Sequence, residues 1–133
     1  MILSKISAIC FAKGATAVVN KKELIDHSLT YPGAYVDYPF DGNWACMRHG
    51  SNKKGFAFIY ERDDKLCVNL KCEPFRADFL RQIYTGVTAG YHMNKEHWNT
   101  VTIGGDVPDA ELLEMICHSH ELIRPKKKRS GAI

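Results

Sequence analysis

The chain of 133 residues has the length of one domain, and a composition of 45% hydrophobic, 25% charged and 11% aromatic residues is that of an ordinary globular protein rather than a disordered one. No apolar run approaches the ~20 residues needed to span a bilayer, so neither a membrane-spanning helix nor a membrane partner is expected. The formal net charge is +3, but Lys126, Lys127, Lys128 and Arg129 supply four of the 18 basic residues and the rest of the chain sets 14 basic against 15 acidic groups, so attraction to polyanions must come from this tail and from local clusters.

In chain order, the apolar run Ile6–Ala12 follows Lys5 and is interrupted by Lys13, with no small-x-small cleavage pattern behind it. Residues 1–19 therefore read as an N-terminal extension of unassigned role. The five cysteines are an odd number scattered without paired spacing, a usage that suits reduced thiols in a cytoplasm. Asn20 and Glu23 have capping-box spacing and open a short helix carrying Leu24, Ile25, Ser28 and Leu29, which stops at Pro32-Gly33. The aromatic, proline-broken stretch Tyr35–Phe40 reads as a loop packed on the core.

Trp44–Arg48 and Phe56–Arg62 read as strands joined by the turn Gly50–Gly55, a hairpin with a basic tip. Alternation puts Phe56, Phe58 and Tyr60 on one face of the second strand and Ala57 and Ile59 on the other. In the next strand, Leu66–Cys72, it sends Leu66, Val68 and Leu70 inward and leaves Cys67, Asn69 and Lys71 on a partly solvated side. Pro74 opens a second helix whose apolar face is Phe75, Phe79, Leu80 and Ile83, and Thr85-Gly86 ends it. Val87–Tyr91 and Thr100–Ile103 are two further strands. Pro108, Asp109 and Glu111 open a last helix that Pro125 stops.

This order predicts an α+β domain over residues 20–125, with one mostly antiparallel five-stranded sheet and helices packed on one face. Leu66, Val68, Leu70, Phe75, Phe79, Ile83, Leu113 and Ile116 are expected to share its core. Residues 126–133 read as a basic, disordered tail.

One segment, Tyr91-His92-Met93-Asn94-Lys95-Glu96-His97-Trp98-Asn99-Thr100-Val101, fits neither a helical nor a strand period and is the most chemically dense stretch of the chain. With Asn69–Pro74 upstream and Pro108–Leu122 downstream, it resembles the signature of the MmcQ/YjbR family of small bacterial proteins. The resemblance implies a frataxin-like (CyaY-like) fold, a double-wing DNA-binding motif and a non-catalytic role in binding DNA.

The residues support that reading in part. Arg48, Lys53 and Lys54 at the hairpin tip, Lys71 on the sheet, Lys95, His97 and Asn99 in the signature, and Lys126, Lys127, Lys128 and Arg129 in the tail form a candidate DNA-binding set: cations for phosphates and an amide for base edges. The competing reading is a small-ligand or enzymatic site built from Lys71, Tyr91, His92, Lys95, His97 and Trp98, with His92 or His97 as acid-base group and Cys72 as nucleophile. No paired carboxylates, phosphate loop or nucleophile elbow supports catalysis. His92 and His97 lack zinc-ligand spacing, and Cys117-His118-Ser119-His120 lies in a helix that points its members apart. The first helix begins Asn20-Lys21-Lys22-Glu23 rather than with an acidic run, so the iron binding of frataxins is not carried over. No metal or cofactor is expected.

Overall fold

The computed structural model describes residues 20–125. The expected extension 1–19 and tail 126–133 lie outside the described residues. Helix α1 (Lys21–Ser28) starts as its sequence dictates: Asn20 Oδ1 accepts from the Glu23 N–H at 2.8 Å, and Glu23 Oε1 accepts from the Asn20 N–H at 3.3 Å. Six strands follow, β1 (Ala34–Asp37), β2 (Ala45–His49), β3 (Gly55–Arg62), β4 (Lys65–Lys71), β5 (Val87–Ala89) and β6 (Trp98–Thr102), with helix α2 (Pro74–Ile83) before β5 and helix α3 (Asp109–Ile123) last. All neighbours pair antiparallel in the order β1-β2-β3-β4-β6-β5. The sixth strand corrects the expectation of five. Ala34–Asp37, whose Tyr35–Asp37 was read as part of a loop, pairs with Cys46–His49 and forms one edge, ending just before Tyr38-Pro39, where proline has no N–H to donate to a ladder.

The register defines two faces. Ala57 pairs with Leu70, Ile59 with Val68, Val68 with Val101 and Leu70 with Asn99, and this row faces the helices. Helix α3 crosses it, with the Ser119 hydroxyl donating to Phe56 O at 2.6 Å and accepting from the Lys71 N–H at 2.9 Å. Helix α2 lies over the β5–β6 margin of the same face, where Ala77 O accepts from Asn99 Nδ2 at 3.2 Å. A register shift between Met47 and Arg48 turns Phe56 toward Tyr31 and His120 on the helix side, correcting the alternation that grouped it with Phe58 and Tyr60.

Val68, Leu70 and Ile116 are fully buried as expected, and Leu66 and Leu113 pack half-buried against them. Phe75, Phe79 and Ile83 are not in the core: they are 90%, 56% and 50% exposed. The helix instead buries Ala77 and Leu80 and turns Arg81 inward beside them, an i, i+3, i+4 face, and Tyr84 just past its end packs against the core. Small Ala77 lets the backbone approach β6, and Arg81 reaches Asn99; a face led by three large side chains allows neither.

Three imidazoles on α1 and α3 are partly or fully withdrawn from water: His120 is buried, and His27 and His118 are half-buried. His27 Nε2 lies 3.0 Å from Tyr31 Oη, and His120 stacks on Tyr31 at 5.1 Å with its Nε2 3.0 Å from Pro32 O. Burial pushes His27, His118 and His120 below their usual value. The unfolded chain then binds protons that the folded chain refuses, so the stability these groups contribute is present above the unfolded value of about 6.5 and lost as pH falls through the lower folded values. The melting temperature should fall between pH 7.5 and pH 5, and His120→Gln should flatten that fall.

Candidate functional site

The side of the sheet away from the helices was expected to be partly solvated; instead Asn69 is fully buried there and Cys67 nearly so. The cover is the connection from Gly90 to His97. Asn69 Nδ2 donates to Tyr91 O at 2.9 Å, while its Oδ1 accepts from Tyr60 Oη at 2.9 Å and Thr100 Oγ1 at 2.6 Å. Thr100 Oγ1 in turn accepts from the Tyr91 N–H at 2.8 Å. Burial pushes the Tyr60 phenol up to about 12, which keeps its hydroxyl protonated as the donor to Asn69.

The rest of the connection is equally tied. Asn94 Oδ1 accepts from the N–H groups of Glu96 and His97, an Asx turn, and His97 O accepts from the Cys72 N–H at 2.8 Å. Lys95 Nζ donates to Gly90 O at 2.7 Å. From α2, Arg81 Nε donates to Asn99 Oδ1 at 2.7 Å and its guanidinium also donates to Trp98 O and Lys95 O. One candidate DNA contact is thereby corrected: Asn99, 2% exposed, has its oxygen on Arg81 and its amide on Ala77 O, so it is not free to read a base. Lys95, expected to meet a phosphate, donates to Gly90 O and is exposed.

Over this support lies an aromatic layer. Trp44 stacks on Tyr60 at 4.0 Å with 8° between planes, and Tyr60 is followed by Tyr91 at 5.9 Å. The Arg62 guanidinium sits 3.9 Å above the Tyr91 ring. Phe58 meets Trp98 edge-to-face at 5.5 Å. Beside the stack opens a cleft of about 350 Å³ lined by Phe40, Asp41, Trp44, Phe58, His92 and Met93. His92 enters it from a backbone with φ of 61°, a left-handed conformation that a non-glycine residue adopts at a cost.

Of the expected ligand set, His92 lines the cleft and Tyr91 backs it. Trp98 lies behind Phe58, and Lys95 is engaged in its loop. Lys71 and His97 are at the sheet end where β4 finishes and β6 begins. Burial pushes the Cys72 thiol up, which opposes a thiolate nucleophile there. Phe40, Asp41, Trp44, Phe58 and Met93 were missed as site residues; the signal within reach was the aromatic spacing of Trp44 with Phe58 and Tyr60 across one hairpin. Among the described residues no group of three or more His, Cys, Asp or Glu could hold a metal ion, and no helix is long and apolar enough to cross a membrane.

The basic candidates divide. Arg48 is occupied, with Nε 3.1 Å from Asp37 Oδ2 and another nitrogen donating to Lys53 O. Lys53 and Lys54 are exposed on the turn, and Asn52 Nδ2 donates to Ile123 O at 2.8 Å, tying this turn to the end of α3. Lys126, Lys127, Lys128 and Arg129 lie outside the described residues.

Comparison with known proteins agrees with this architecture. The YjbR family model matches residues 29–122. The chain is 31% identical over 119 residues to the Bacillus subtilis (strain 168) protein YyaQ, covering 80% of this chain and 100% of that one. It is 29% identical over 110 residues to the Escherichia coli (strain K12) protein YjbR, covering 80% and 92%. A crystal structure of a Deinococcus radiodurans protein superposes with a TM-score of 0.73 at 31% identity, covering 86% of this chain and 88% of that one. One from Pseudomonas syringae gives 0.72 at 29% identity, covering 79% and 99%.

Proposed function

The chain belongs to the YjbR family, and from that premise we propose that it is a non-catalytic DNA-binding module that grips the phosphate backbone at one end of its sheet. The observation that carries this reading is the Asn52–Ile123 hydrogen bond. It fastens the hairpin tip to the end of α3, so that exposed Lys53 and Lys54 share one corner with Arg124, the residue from which the chain runs on through Pro125 into four consecutive basic residues. The hairpin acts as one wing against the phosphates, and Lys71 and His97 at the same sheet end extend the contact. Because the chain without its tail is slightly acidic, binding is local to this corner rather than driven by the field of the whole domain. Cys46, Cys67, Cys72 and Cys117 are free thiols, which suits a reducing cytoplasm as the working compartment.

The test is the salt dependence of binding to a duplex oligonucleotide. Each phosphate neutralised contributes about −0.9 to the slope of log K against log salt, so a chain ending at Pro125 should have a slope shallower by up to about 3.6. Lys53→Gln with Lys54→Gln should remove up to about 1.8 more. Unchanged affinity and slope in both variants would place the interface elsewhere, and no binding by the full chain at low salt would remove the DNA reading.

A further inference from the structure

The cleft on the aromatic face is separate from the basic corner. Trp44 precedes β2 and Phe58 lies midway along β3, whereas Lys53 and Lys54 sit on the turn at the far end of both strands. Its chemistry also differs. Among the described residues that line it are Phe40, Trp44, Phe58 and Met93; the polar groups among them are the imidazole of His92 and the Asp41 carboxylate, with no lysine or arginine. One Asp41 oxygen accepts from the Asn43 N–H at 2.9 Å, which fixes the carboxylate at the rim. Phe40 stands edge-on to Trp44 at 6.3 Å and is 71% exposed.

We propose that this cleft binds a small organic cation, a methylated or aryl-substituted ammonium, with its positive head against the Trp44, Phe40 and Phe58 rings and its charge balanced by Asp41. Ring faces carry negative quadrupole potential and attract cations that shed water easily, and a carboxylate at the rim adds a charge partner. The neighbouring stack already accepts a cation in this way, since the Arg62 guanidinium lies on Tyr91. That guanidinium does not repel a second cation strongly, because Asp63 stands beside it with Oδ2 3.9 Å from Arg62 Nε. The walls are set before a ligand arrives: Trp44 is stacked on Tyr60, Tyr60 is bonded to Asn69, and Phe58 is backed by Trp98. A volume of about 350 Å³ suits a ligand of this class and is too small for a folded partner.

The probes are choline and benzyltrimethylammonium, followed by tryptophan fluorescence of the full chain, with dimethylbutanol, the uncharged carbon analogue of choline, as control. Both cations should give saturable changes that dimethylbutanol neither reproduces nor competes with. Phe40→Ala and Asp41→Asn should each weaken binding about tenfold. Both side chains are exposed, so melting temperatures should stay at the wild-type value and the loss is read as a loss of binding. No saturation with either cation, equal binding of dimethylbutanol, or unchanged affinity in both variants would overturn the proposal. Double-stranded DNA should leave the titration unchanged, so failure here and failure of the DNA reading are distinguishable.

Discussion

Asn69→Ala will lower the free energy of unfolding by about 3 kcal/mol, a large share of what a domain of this size has. Asn69 is fully buried and carries three hydrogen bonds, to Tyr91 O, Tyr60 Oη and Thr100 Oγ1, which join strands β3, β4 and β6 to the connection above them. Each bond is worth about 1 kcal/mol net, but truncation also strands the Tyr60 hydroxyl and the Tyr91 carbonyl without their partner, and that penalty is the larger part. Urea denaturation should move to a lower midpoint with little change in slope. Tyr60→Phe alone should cost about 1 kcal/mol, and the double substitution should cost less than the sum, because the hydroxyl that Asn69→Ala strands is then absent. A loss below about 1 kcal/mol for Asn69→Ala would mean that water replaces the amide and that the network is not what holds the connection down.

The same residue marks where sequence stops informing. Period-2 alternation correctly separates Val68 and Leu70 from Asn69, because it reports which side of a strand a side chain takes. It says nothing about what covers each side, and here an aperiodic loop covers the second one. The capping box of Asn20 and Glu23 was legible because its partners are three residues apart. The burial of α2 was not: Phe75, Phe79 and Ile83 form the more apolar stripe, yet the contact is decided by Ala77 and Arg81, whose partners lie on β6. Asn99 reads as a surface polar group, but its partners are a backbone carbonyl and a guanidinium that no local pattern announces. Of the cleft, His92 and Met93 stand in the recognisable segment, while Phe40, Asp41, Trp44 and Phe58 arrive from a distant hairpin and the loop before it. The family resemblance identified the fold correctly, since the fold is what the relatives share, and it carried no information on which side chains were free.

Gly90→Ala will destabilise the protein by about 3 kcal/mol and open the cleft floor. The φ of Gly90 is not in the left-handed region, so backbone strain is not the cause. A Cβ at this position would lie 2.8 Å from Trp98 Cβ, 2.9 Å from Trp98 O and 3.1 Å from Met93 Cβ. All three of these neighbours are Cβ or backbone atoms that cannot swing aside, so the chain itself has to move. Gly90 is the point where the connection leaves the sheet: its N–H donates to Trp98 O at 2.9 Å, and its carbonyl accepts from the Met93 N–H and Lys95 Nζ. Pushing β5 from β6 there weakens those bonds and shifts Trp98, which backs Phe58, and Met93, which lines the cleft. Amide exchange should accelerate at Gly90, Met93 and Cys72, whose N–H is held by His97 O, while the helix amides of α3 keep the protection that global unfolding allows. Binding of choline should weaken in the same variant. Gly42→Ala is the matched control, because a Cβ there meets nothing within 4 Å and should leave both stability and exchange unchanged. Equal exchange in Gly90→Ala and wild type would mean the loop yields at no cost and does not pin the cleft wall.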